Sequence, residues 1–373
     1  MFAKRAVGGL KAVAAATKPS AAAFRTIALC AATPQRKLGS SIFLSPSTQQ
    51  RLASSVASHN LPSTPTSEPW LSPPPQNEPL PSLNEAAVTA PELSPSNLHK
   101  LIDHVANSQR LLVVTGAGIS TASGIPDYRS PNGSYSRGHK PIQHAEFVNS
   151  EKMRRRYWTR SFVGWRYFSR AEPNVAHLAL AELEARGRVY SLVTQNVDGL
   201  HSAAGHQDVL DLHGRIDAVE CLSCGHEMPR ADWQLELASA NTKWVDSIPE
   251  ILPGELRADG DSEIAESDDF VVPHCPKCGH GTIKPSVVFF GGSVPPSSVQ
   301  AAADAVNAAD ALLVVGSSLQ VFSAFRIART ASQRGIPIAI LNNGPTRADD
   351  LDGVWRVEAD ACEALPRLAA ELL

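Results

Sequence analysis

Four cysteines arranged as two Cys-x-x-Cys pairs are the residues whose spacing points most directly to chemistry. The first pair is Cys221 and Cys224, and the second is Cys275 and Cys278. Two such pairs match the ligand set of a closed, tetrahedral structural zinc site, in which no coordination position remains for a substrate. The sequence therefore predicts one zinc ion that stabilises the fold and takes no part in catalysis.

Disulfide bonds are the competing interpretation of these cysteines. The other two cysteines, Cys30 and Cys362, lie far from the pairs in sequence, and paired Cys-x-x-Cys motifs in a reducing compartment are better explained as metal ligands. The 50 residues between the pairs exceed the spacing of a small zinc ribbon. We therefore expect an insert of about residues 214–285, whose two cysteine turns are brought together by the rest of the fold.

A histidine precedes the first cysteine pair in the segment Asp211-Leu212-His213-Gly214. An imidazole titrates near neutral pH, so a histidine on a short loop can serve as a general base toward a bound cofactor. A single histidine is also commonly a packed or surface residue. His213 is therefore a candidate base whose role depends on the motifs around it.

A glycine-rich segment, Gly116-Ala117-Gly118-Ile119-Ser120, follows the first long apolar run. Such glycines let the backbone approach a pyrophosphate, and the N–H groups of a following helix can bind it. Position 121 is Thr, so the third glycine of the dinucleotide fingerprint is missing, and a tight strand-to-helix turn is the alternative. The next loop, Ser123-Gly124-Ile125-Pro126-Asp127-Tyr128-Arg129, adds an acid, an aromatic ring and a guanidinium, which favours phosphate binding.

Polar residues also follow three further apolar runs. They are Gln195-Asn196-Val197-Asp198, Gly316-Ser317-Ser318 and Asn342-Asn343-Gly344. In open α/β sheets, ligands bind at the carboxyl ends of the strands, where these residues would meet. Each segment can also be an ordinary turn or a helix cap. Together they predict a pocket of small hydrogen-bonding side chains suited to a ribose or an adenine.

The apolar pattern predicts alternating strands and helices. Strands are expected at residues 111–114, 189–193, 311–315 and 336–341, and helices at residues 98–107, 175–186 and 324–333. Continuous apolar runs are typical of buried parallel strands, and their alternation with helices indicates right-handed crossovers. We therefore predict a doubly wound, Rossmann-type α/β fold with a parallel sheet, and a smaller zinc-binding and helical domain.

The first 97 residues differ in composition from the rest. Residues 1–67 contain eight Lys or Arg and no Asp or Glu, which is typical of a mitochondrial transit peptide; an unaddressed, disordered basic tail is the alternative. Residues 68–97 are rich in Pro and Ser and are expected to be a linker. We therefore place the folded domain at residues 98–373 and the protein in the mitochondrial matrix.

Charge and hydropathy limit the partners. The chain has 34 basic and 37 acidic residues, and all acidic residues follow position 67, so the body has a net charge of about −11. This balance argues against a nucleic-acid partner. The chain contains 43% apolar residues but no uninterrupted apolar run of the length that spans a membrane, so we expect no membrane insertion. The oligomeric state cannot be deduced from the sequence.

Two segments carry further expectations. Residues 153–170 interleave six arginines with six aromatic residues, a pattern that also occurs in nucleic-acid-binding stripes. The acidic body and the helical spacing of the aromatic residues favour a packed helix pair beside a substrate pocket. Residues 259–269 contain six acidic residues and few apolar ones, so an exposed, mobile loop is expected.

These motifs, in this order and spacing, resemble the sirtuin family over residues 98–373. The resemblance rests on Gly116–Ser120, Ile125–Arg129, Thr194–Asp198, Leu212–Gly214, the four paired cysteines and Gly316–Ser318. The segments Arg156-Tyr157-Trp158, Phe162-Val163-Gly164-Trp165 and Ser318–Phe322, with the long zinc insert, are similar to the class II mitochondrial branch. That branch is linked to lipoamidase and ADP-ribosyltransferase activity.

The resemblance implies NAD as cofactor, one structural zinc ion held by the four paired cysteines, and an acylated lysine of mitochondrial proteins as substrate. It implies that His213 is the base, with Asn196 and Asp198 as further catalytic residues. The cofactor would be bordered by Gly116, Ala117, Gly118, Ser120, Ile125, Asp127, Arg129, Gln195, Asn196, Val197, Asp198, Gly316, Ser317, Ser318, Asn342, Asn343, Gly344 and Cys362.

The substrate strand implied by the resemblance is Val287-Val288-Phe289-Phe290-Gly291, to which a peptide backbone would pair. Gly292 replaces the acidic residue often found after this segment, and Tyr135 with Arg137 is similar to a pair that contacts acidic acyl groups. In the implied reaction the acyl oxygen displaces nicotinamide, and His213 then deprotonates a ribose hydroxyl. The expected function is an NAD-dependent deacylase; a mono-ADP-ribosyltransferase and a low-turnover NAD-binding module are the alternatives.

Overall fold

A computed structural model describes residues 90–245, 248, 256–262, 264 and 268–372. The predicted transit peptide, residues 1–67, and most of the predicted linker lie outside the described residues. The first helix, α1, spans Pro95–Ala106, and the Ser94 side chain caps it by accepting a hydrogen bond from the Asn97 backbone N–H. Leu93 is already buried in the core. The packed core thus includes a residue that precedes the predicted boundary at residue 98.

A six-stranded parallel sheet forms the centre of the larger domain. Its strands are β1 Leu111–Thr115, β2 Ser191–Thr194, β3 Val209–Asp211, β7 Ala311–Val315, β8 Ile338–Leu341 and β9 Val354–Val357. Their order across the sheet is β3-β2-β1-β7-β8-β9, with every neighbouring pair parallel. The predicted Rossmann-type architecture is confirmed. Sequence reasoning missed β3 and β9, which are edge strands only half-buried along most of their length.

Helices cover both faces of this sheet. They are α1, α4 Val175–Ala185, α5 Leu200–Ala203, α8 Pro296–Ala308, α9 Phe322–Gln333 and α10 Ala361–Leu372. Alternate residues of each central strand point to opposite faces, so β1 contributes Val113 to one apolar core and Leu112 to the other. The helices α1, α4 and α10 pack on the first core, and α8 and α9 on the second. Burial on both faces explains the continuous apolar runs.

The smaller domain combines an antiparallel sheet with helices. Its strands are β4 Gly214–Cys221, β5 Glu227–Pro229 and β6 Ile283–Val287, and its helices are α2 His144–Asn149, α3 Glu151–Phe168, α6 Arg230–Ala240 and α7 Thr242–Val245. The strand order is β5-β4-β6. Residues of α3, α6 and β6 share one apolar core with the zinc-binding segment. The zinc-binding and helical parts therefore form one packed unit.

The arginine- and aromatic-rich segment forms most of one long helix, α3, and not the expected helix pair. Trp158 is fully buried and packs edge-on against Trp233 of α6, with ring centroids 5.6 Å apart. The buried guanidinium of Arg230 lies over the rings of Trp158 and Trp165, 5.1 Å from each centroid. These contacts attach α6 to α3. The aromatic residues are therefore core residues, which accounts for the pattern without a nucleic acid.

The acidic segment after residue 256 is packed over its first part, contrary to the expected exposed loop. Asp261 and Ser262 are buried, and Asp261 pairs with Arg160 of α3 at 3.1 Å. Gly164 of α3 lies so close to Gly260 that a Cβ at position 164 would come within 2.2 Å of the Gly260 carbonyl oxygen. The Arg160 guanidinium thus offsets part of the burial cost of the Asp261 carboxylate. Composition alone could not reveal that pairing.

In the described part of the chain, no helix is both long and apolar enough to cross a membrane.

Three histidines lie together beneath the carboxyl edge of the large sheet. His177 of α4, His201 of α5 and His206 are all buried, and the His201 ring lies 4.8 Å from that of His177 and 5.1 Å from that of His206. Burial, with a contribution from nearby His206, lowers the pKa of His177 to about 4, and burial lowers the pKa of His201 as well. His177 and His201 are therefore neutral in the folded protein at neutral pH.

We predict that this cluster makes the fold sensitive to acid. Because the pKa of His177 is about 4 when folded but near 6.5 when unfolded, the unfolded chain binds more protons between these values. Stability is retained above pH 6.5 and falls as the pH drops, by about 2 kcal/mol at pH 5 from His177 alone. Urea unfolding at pH 7 and pH 5 measures this difference.

The His177→Gln variant should show a pH 7 to pH 5 stability difference smaller by about 2 kcal/mol, because glutamine does not titrate. The matched control is His99→Gln, since His99 is exposed on α1 and should leave the difference unchanged. An unaltered difference in His177→Gln would contradict the role of this side chain.

Candidate functional site

The carboxyl ends of β1 and β7 meet in two close-packed glycine loops. The Gly118 N–H donates to the Gly316 carbonyl oxygen at 2.9 Å. A Cβ on Gly116 would lie 2.7 Å from the Cβ of Ser317, and one on Gly316 would lie 2.4 Å from the Ile119 nitrogen. Gly316 also has a φ of +59°, which disfavours other residues. The glycines are thus needed for the contact between the two loops.

The turn after β1 is a 3-10 helix, Ala117–Ser123, and not the α-helix that the dinucleotide fingerprint would introduce. It ends at Gly124, which has a left-handed conformation. Thr121 stands where the fingerprint has its third glycine, and its hydroxyl donates to the Gly118 carbonyl oxygen at 3.0 Å. Where the dinucleotide fingerprint has its third glycine and an α-helix, this chain therefore has Thr121 and a tighter 3-10 turn.

Asn196 and Asp198 follow β2 and join this turn through Ser120. The Asn196 side chain donates to the Gly116 carbonyl oxygen and to the Ser120 hydroxyl, both at 3.1 Å. The Ser120 hydroxyl donates to Asp198 at 2.8 Å, and the Leu200 backbone N–H donates to the other Asp198 oxygen at 2.9 Å. Burial raises the pKa of Asp198, while these hydrogen bonds oppose the rise. The amide and carboxylate are held rigidly at the sheet edge.

The loop after the 3-10 helix contributes three of the predicted residues. Ile125 is buried against Leu200, whereas the Asp127 carboxylate accepts hydrogen bonds from the Arg129 and Ser130 backbone N–H groups, each at 2.9 Å. Asp127 thus shapes its own loop. The Arg129 guanidinium lies 5.1 Å from the centre of the Tyr135 ring.

Gln195 connects β2 to the β7 loop. Its side chain donates to the Ser317 hydroxyl at 2.7 Å, and that hydroxyl accepts from the Leu319 N–H at 3.1 Å. Val197 is half-buried, and its carbonyl oxygen accepts from the Ile216 N–H at 3.0 Å. Gln195 and Ser317 therefore join β2 to the β7 glycine loop, whereas Val197 is bonded to β4.

The remaining predicted cofactor residues, apart from Cys362, lie at or beyond the ends of β7 and β8. The Ser318 carbonyl oxygen accepts from the Arg347 N–H at 2.9 Å, and the Asn342 side chain donates to the Gly344 carbonyl oxygen at 2.9 Å. Asn343, between them, is exposed. Cys362 lies apart from these loop contacts, in the first turn of α10, where it packs against the core. Its role toward the cofactor remains a prediction.

His213 lies between β3 and β4 and is fixed through both ring nitrogens. Its Nδ1 atom lies 2.9 Å from the Gln195 carbonyl oxygen, and its Nε2 atom lies 2.8 Å from the Ser323 hydroxyl. A carbonyl oxygen only accepts, so Nδ1 carries the proton of the neutral ring and Nε2 presents a lone pair. Burial lowers the pKa of His213, against the hydrogen bond to Gln195. A neutral imidazole with an unprotonated Nε2 is the form that can accept a proton.

Ser323 is a site residue that sequence reasoning missed. It is the second residue of α9, and 110 positions separate it from His213. A serine in the first turn of a helix carries no signal in the sequence, because the contact arises only when α9 docks on the sheet.

The predicted substrate segment lies almost entirely beyond the end of a strand. Strand β6 ends at Val287, and the Val288 N–H donates to the His213 carbonyl oxygen at 2.8 Å. Phe289 packs into the core of the smaller domain. Phe290 forms an isolated bridge with Gln143, and the exposed residue Gly291 follows it. The segment after β6 therefore connects the base to the smaller domain, and its role toward a substrate backbone remains a prediction.

The four paired cysteines converge as predicted. Their Sγ atoms all lie within 4.8 Å of one another, and the Cys221–Cys278 and Cys224–Cys275 Sγ distances are both 3.8 Å. A tetrahedral zinc ion with Zn–S bonds of about 2.3 Å requires sulfur atoms about 3.8 Å apart. The donor set therefore fits one zinc ion with a complete ligand shell.

The two cysteine turns have the same backbone design. The Gly225 N–H donates to the Cys221 carbonyl oxygen at 2.9 Å, and the Gly279 N–H donates to that of Cys275 at 2.8 Å. Both glycines have a φ between +65° and +74°, which closes each turn. A Cβ on Gly281 would lie 2.2 Å from the Cys221 Sγ atom. The chain around the cysteines is thus shaped for the sulfur cluster.

Comparisons with known proteins agree with this geometry. A sequence model of the Sir2 family matches residues 116–323. The chain is 51% identical to the NAD-dependent protein deacetylase 2 of Bradyrhizobium diazoefficiens over 266 residues, which cover 71% of this chain and 94% of that protein. It is 47% identical to an NAD-dependent protein deacylase of Arabidopsis thaliana over 277 residues, covering 70% of this chain and 74% of that one.

Solved structures give the same result. A Sir2 protein with a deacetylated p53 peptide and 3'-O-acetyl ADP ribose matches with a TM-score of 0.59 and 29% identity, covering 74% of this chain and 98% of that one. A Sir2 protein with a p53 peptide and NAD+ matches with a TM-score of 0.56 and 27% identity over the same shares. The chain belongs to the Sir2 family. It is an NAD-dependent enzyme of the protein deacylase class.

We predict one structural zinc ion per folded chain. The Cys275→Ser variant should lose most of its zinc and show a lower melting temperature, because three ligands cannot complete the site and the smaller domain packs around it. Zinc content by atomic emission and thermal unfolding measure both effects.

Cys362→Ser is the matched control, since Cys362 lies outside the sulfur cluster and should leave the zinc content unchanged. A folded Cys275→Ser protein that retains one zinc ion per chain would refute the four-sulfur site.

Proposed function

We propose that this protein removes acyl groups from lysine side chains of mitochondrial proteins, with consumption of NAD. The observation that carries this proposal is the neutral His213 imidazole, which presents its Nε2 lone pair while a buried amide and carboxylate, Asn196 and Asp198, are fixed at the same sheet edge. The expected products are nicotinamide, O-acyl-ADP-ribose and unmodified lysine.

The residues present fit NAD at the point where the strand order changes direction. Gly116, Gly118 and Gly316 bring two backbones together without side chains, and Ser317 with Gln195 supplies hydrogen-bonding groups beside them. Open α/β sheets bind dinucleotides at such a point. When bound there, NAD supplies the activated glycosidic bond whose cleavage drives acyl transfer. The chain's own residues bind it, orient it and exclude water.

Each catalytic side chain has a distinct task in this proposal. Asn196 holds the glycine turn and Ser120 in place, and the Asp198 carboxylate, which accepts from Ser120, would stabilise positive charge that develops on the ribose. His213 accepts a proton on Nε2 while Nδ1–H remains bonded to the Gln195 carbonyl oxygen. The zinc ion has no open position and serves the fold only.

We assign this protein to the class II mitochondrial branch, with a preference for acyl groups larger than acetyl. The relative from Arabidopsis thaliana bears the broader name deacylase, which is consistent with this assignment. Near the predicted substrate segment, the Phe290 ring lies 6.3 Å from that of Tyr128 and 6.4 Å from that of Tyr135. A cavity of about 440 Å³ also lies between residues 139–143 and α3, and Arg156, Arg160, Glu146 and Asp261 line it. The aromatic rings and the size of this cavity favour long acyl chains.

The proposal predicts acyl removal that depends on His213. We would incubate the protein with NAD and acetyl-, lipoyl-, glutaryl- and long-chain acyl-lysine peptides, and follow the products by mass spectrometry. The His213→Tyr variant should lose acyl removal by at least about a hundredfold, because no base then accepts the ribose proton. His99→Gln, on the exposed face of α1, is the control for histidine replacement.

Three outcomes would overturn the proposal. Undiminished acyl removal by His213→Tyr would refute the role of the base. Nicotinamide release that yields ADP-ribosylated protein, without acyl loss from any peptide, would establish the mono-ADP-ribosyltransferase instead. Absence of turnover with intact NAD binding would support the low-turnover binding module.

We also propose that residues 1–67 direct the protein to the mitochondrial matrix. These residues include eight basic and no acidic side chains, which supports a role as a mitochondrial targeting signal. A fluorescent protein fused behind residues 1–67 should accumulate in mitochondria, whereas the same fusion with every Lys and Arg of the segment changed to Gln should remain outside. Equal distribution of the two fusions would contradict the proposal.

A further inference from the structure

The Nε2 atom of His213 is already engaged by a hydroxyl group. Ser323 lies at 2.8 Å from it, and the proton on Nδ1 is committed to the Gln195 carbonyl oxygen. Because Nε2 of the neutral ring has no proton, the Ser323 hydroxyl must be the donor in this contact. The only lone pair of the proposed base therefore accepts a hydrogen bond from Ser323.

This geometry limits how a proton can reach the base. A lone pair accepts one donor in a well-aligned hydrogen bond, so a substrate hydroxyl must either displace Ser323 or act through it. The Ser323 oxygen has two lone pairs of its own, and the side chain is only half-buried. A path through Ser323 thus needs no rearrangement of the site.

Helix α9 fixes the position of this hydroxyl. Ser323 is the second residue of the helix, and the next residues, Ala324 and Phe325, are buried in the core beneath the sheet. The first turn also has no side-chain cap, so the positive end of the helix lies beside the imidazole. That field favours a neutral ring, whose Nε2 atom carries no proton.

We propose that Ser323 is a further catalytic residue, which relays a proton from the ribose hydroxyl to His213. The Ser323 oxygen accepts the proton of the ribose hydroxyl while its own proton passes to Nε2. The electron pair of the broken O–H bond stays on the ribose oxygen, which becomes the nucleophile. Serine is unchanged after the transfer, and His213 becomes an imidazolium held by Gln195.

The inference rests on the proposed function, but its first test needs neither NAD nor turnover. Ring ¹⁵N spectra of the histidine-labelled protein report the protonated and hydrogen-bonded nitrogens of His213, whose signals are assigned by their loss in His213→Asn. We expect one Nδ1–H tautomer with a hydrogen-bonded Nε2. The Nε2 signal should shift in Ser323→Ala and return in Ser323→Thr, which keeps the hydroxyl.

The second test separates two steps of the reaction. The relay predicts that Ser323→Ala lowers kcat for acyl removal about 10- to 100-fold, as loss of a general acid–base group does. Exchange of labelled nicotinamide, which precedes use of the base, should be unchanged. Ser323→Thr should restore acyl removal. Ser332→Ala, on the last turn but outside the site, is the matched control for a serine lost from α9.

Three results would overturn the relay. An unshifted Nε2 signal in Ser323→Ala would show that the hydroxyl does not bind the base. Acyl removal by Ser323→Ala equal to or faster than that of the unaltered protein would show that a substrate hydroxyl displaces Ser323. Equal loss of exchange and acyl removal, with a lower melting temperature, would assign Ser323 a structural role. Failure of the unaltered protein to remove acyl groups would instead refute the proposed function alone.

Discussion

The contact between the loops that leave β1 and β7 is the constraint on which the rest of the site depends. These are neighbouring parallel strands, yet the chain turns to opposite sides of the sheet beyond them, so a crevice opens at their carboxyl ends. Gly118 donates directly to the Gly316 carbonyl oxygen, and a side chain on Gly116 or Gly316 would separate the loops. A wider separation would displace Asn196, which bonds to the Gly116 carbonyl oxygen, and with it Ser120.

Gln195 transmits this constraint to the base. Its side chain donates to Ser317 in the β7 loop, while its carbonyl oxygen accepts from Nδ1 of His213. One residue at the end of β2 thus sets both the separation of the loops and the tautomer of the imidazole. The proton of His213 is directed to Nδ1 by a backbone carbonyl, which cannot act as a donor. The lone pair is therefore on Nε2 because the Gln195 carbonyl oxygen, at the end of β2, accepts the proton of Nδ1.

Residues whose role depends on local sequence could be predicted from the sequence. Residues whose role depends on contacts between distant segments of the chain could not. The apolar run Ala311–Val315 is a strand with the predicted bounds, because both faces of the sheet bury it. The Cys-x-x-Cys pairs predicted their convergence through ligand chemistry. By contrast, Asp261 was expected in an exposed loop because its partner, Arg160, lies 101 positions away. The sequence alone could not identify Ser323 or the buried His177 either, because their partners also lie far away in the sequence.

The zinc site has no coordination position open to substrate, but it can affect catalysis through the β4–β6 ladder. Cys221 ends β4 and pairs with Ile283, and at the other end of the ladder Gly214 pairs with Val287. The next residue, Val288, donates to the His213 carbonyl oxygen. The ladder thus joins the cysteine cluster at one end to the backbone of the base at the other. Loss of the metal would release the cysteine end of the ladder. The backbone of His213, at the other end, would then be held less firmly.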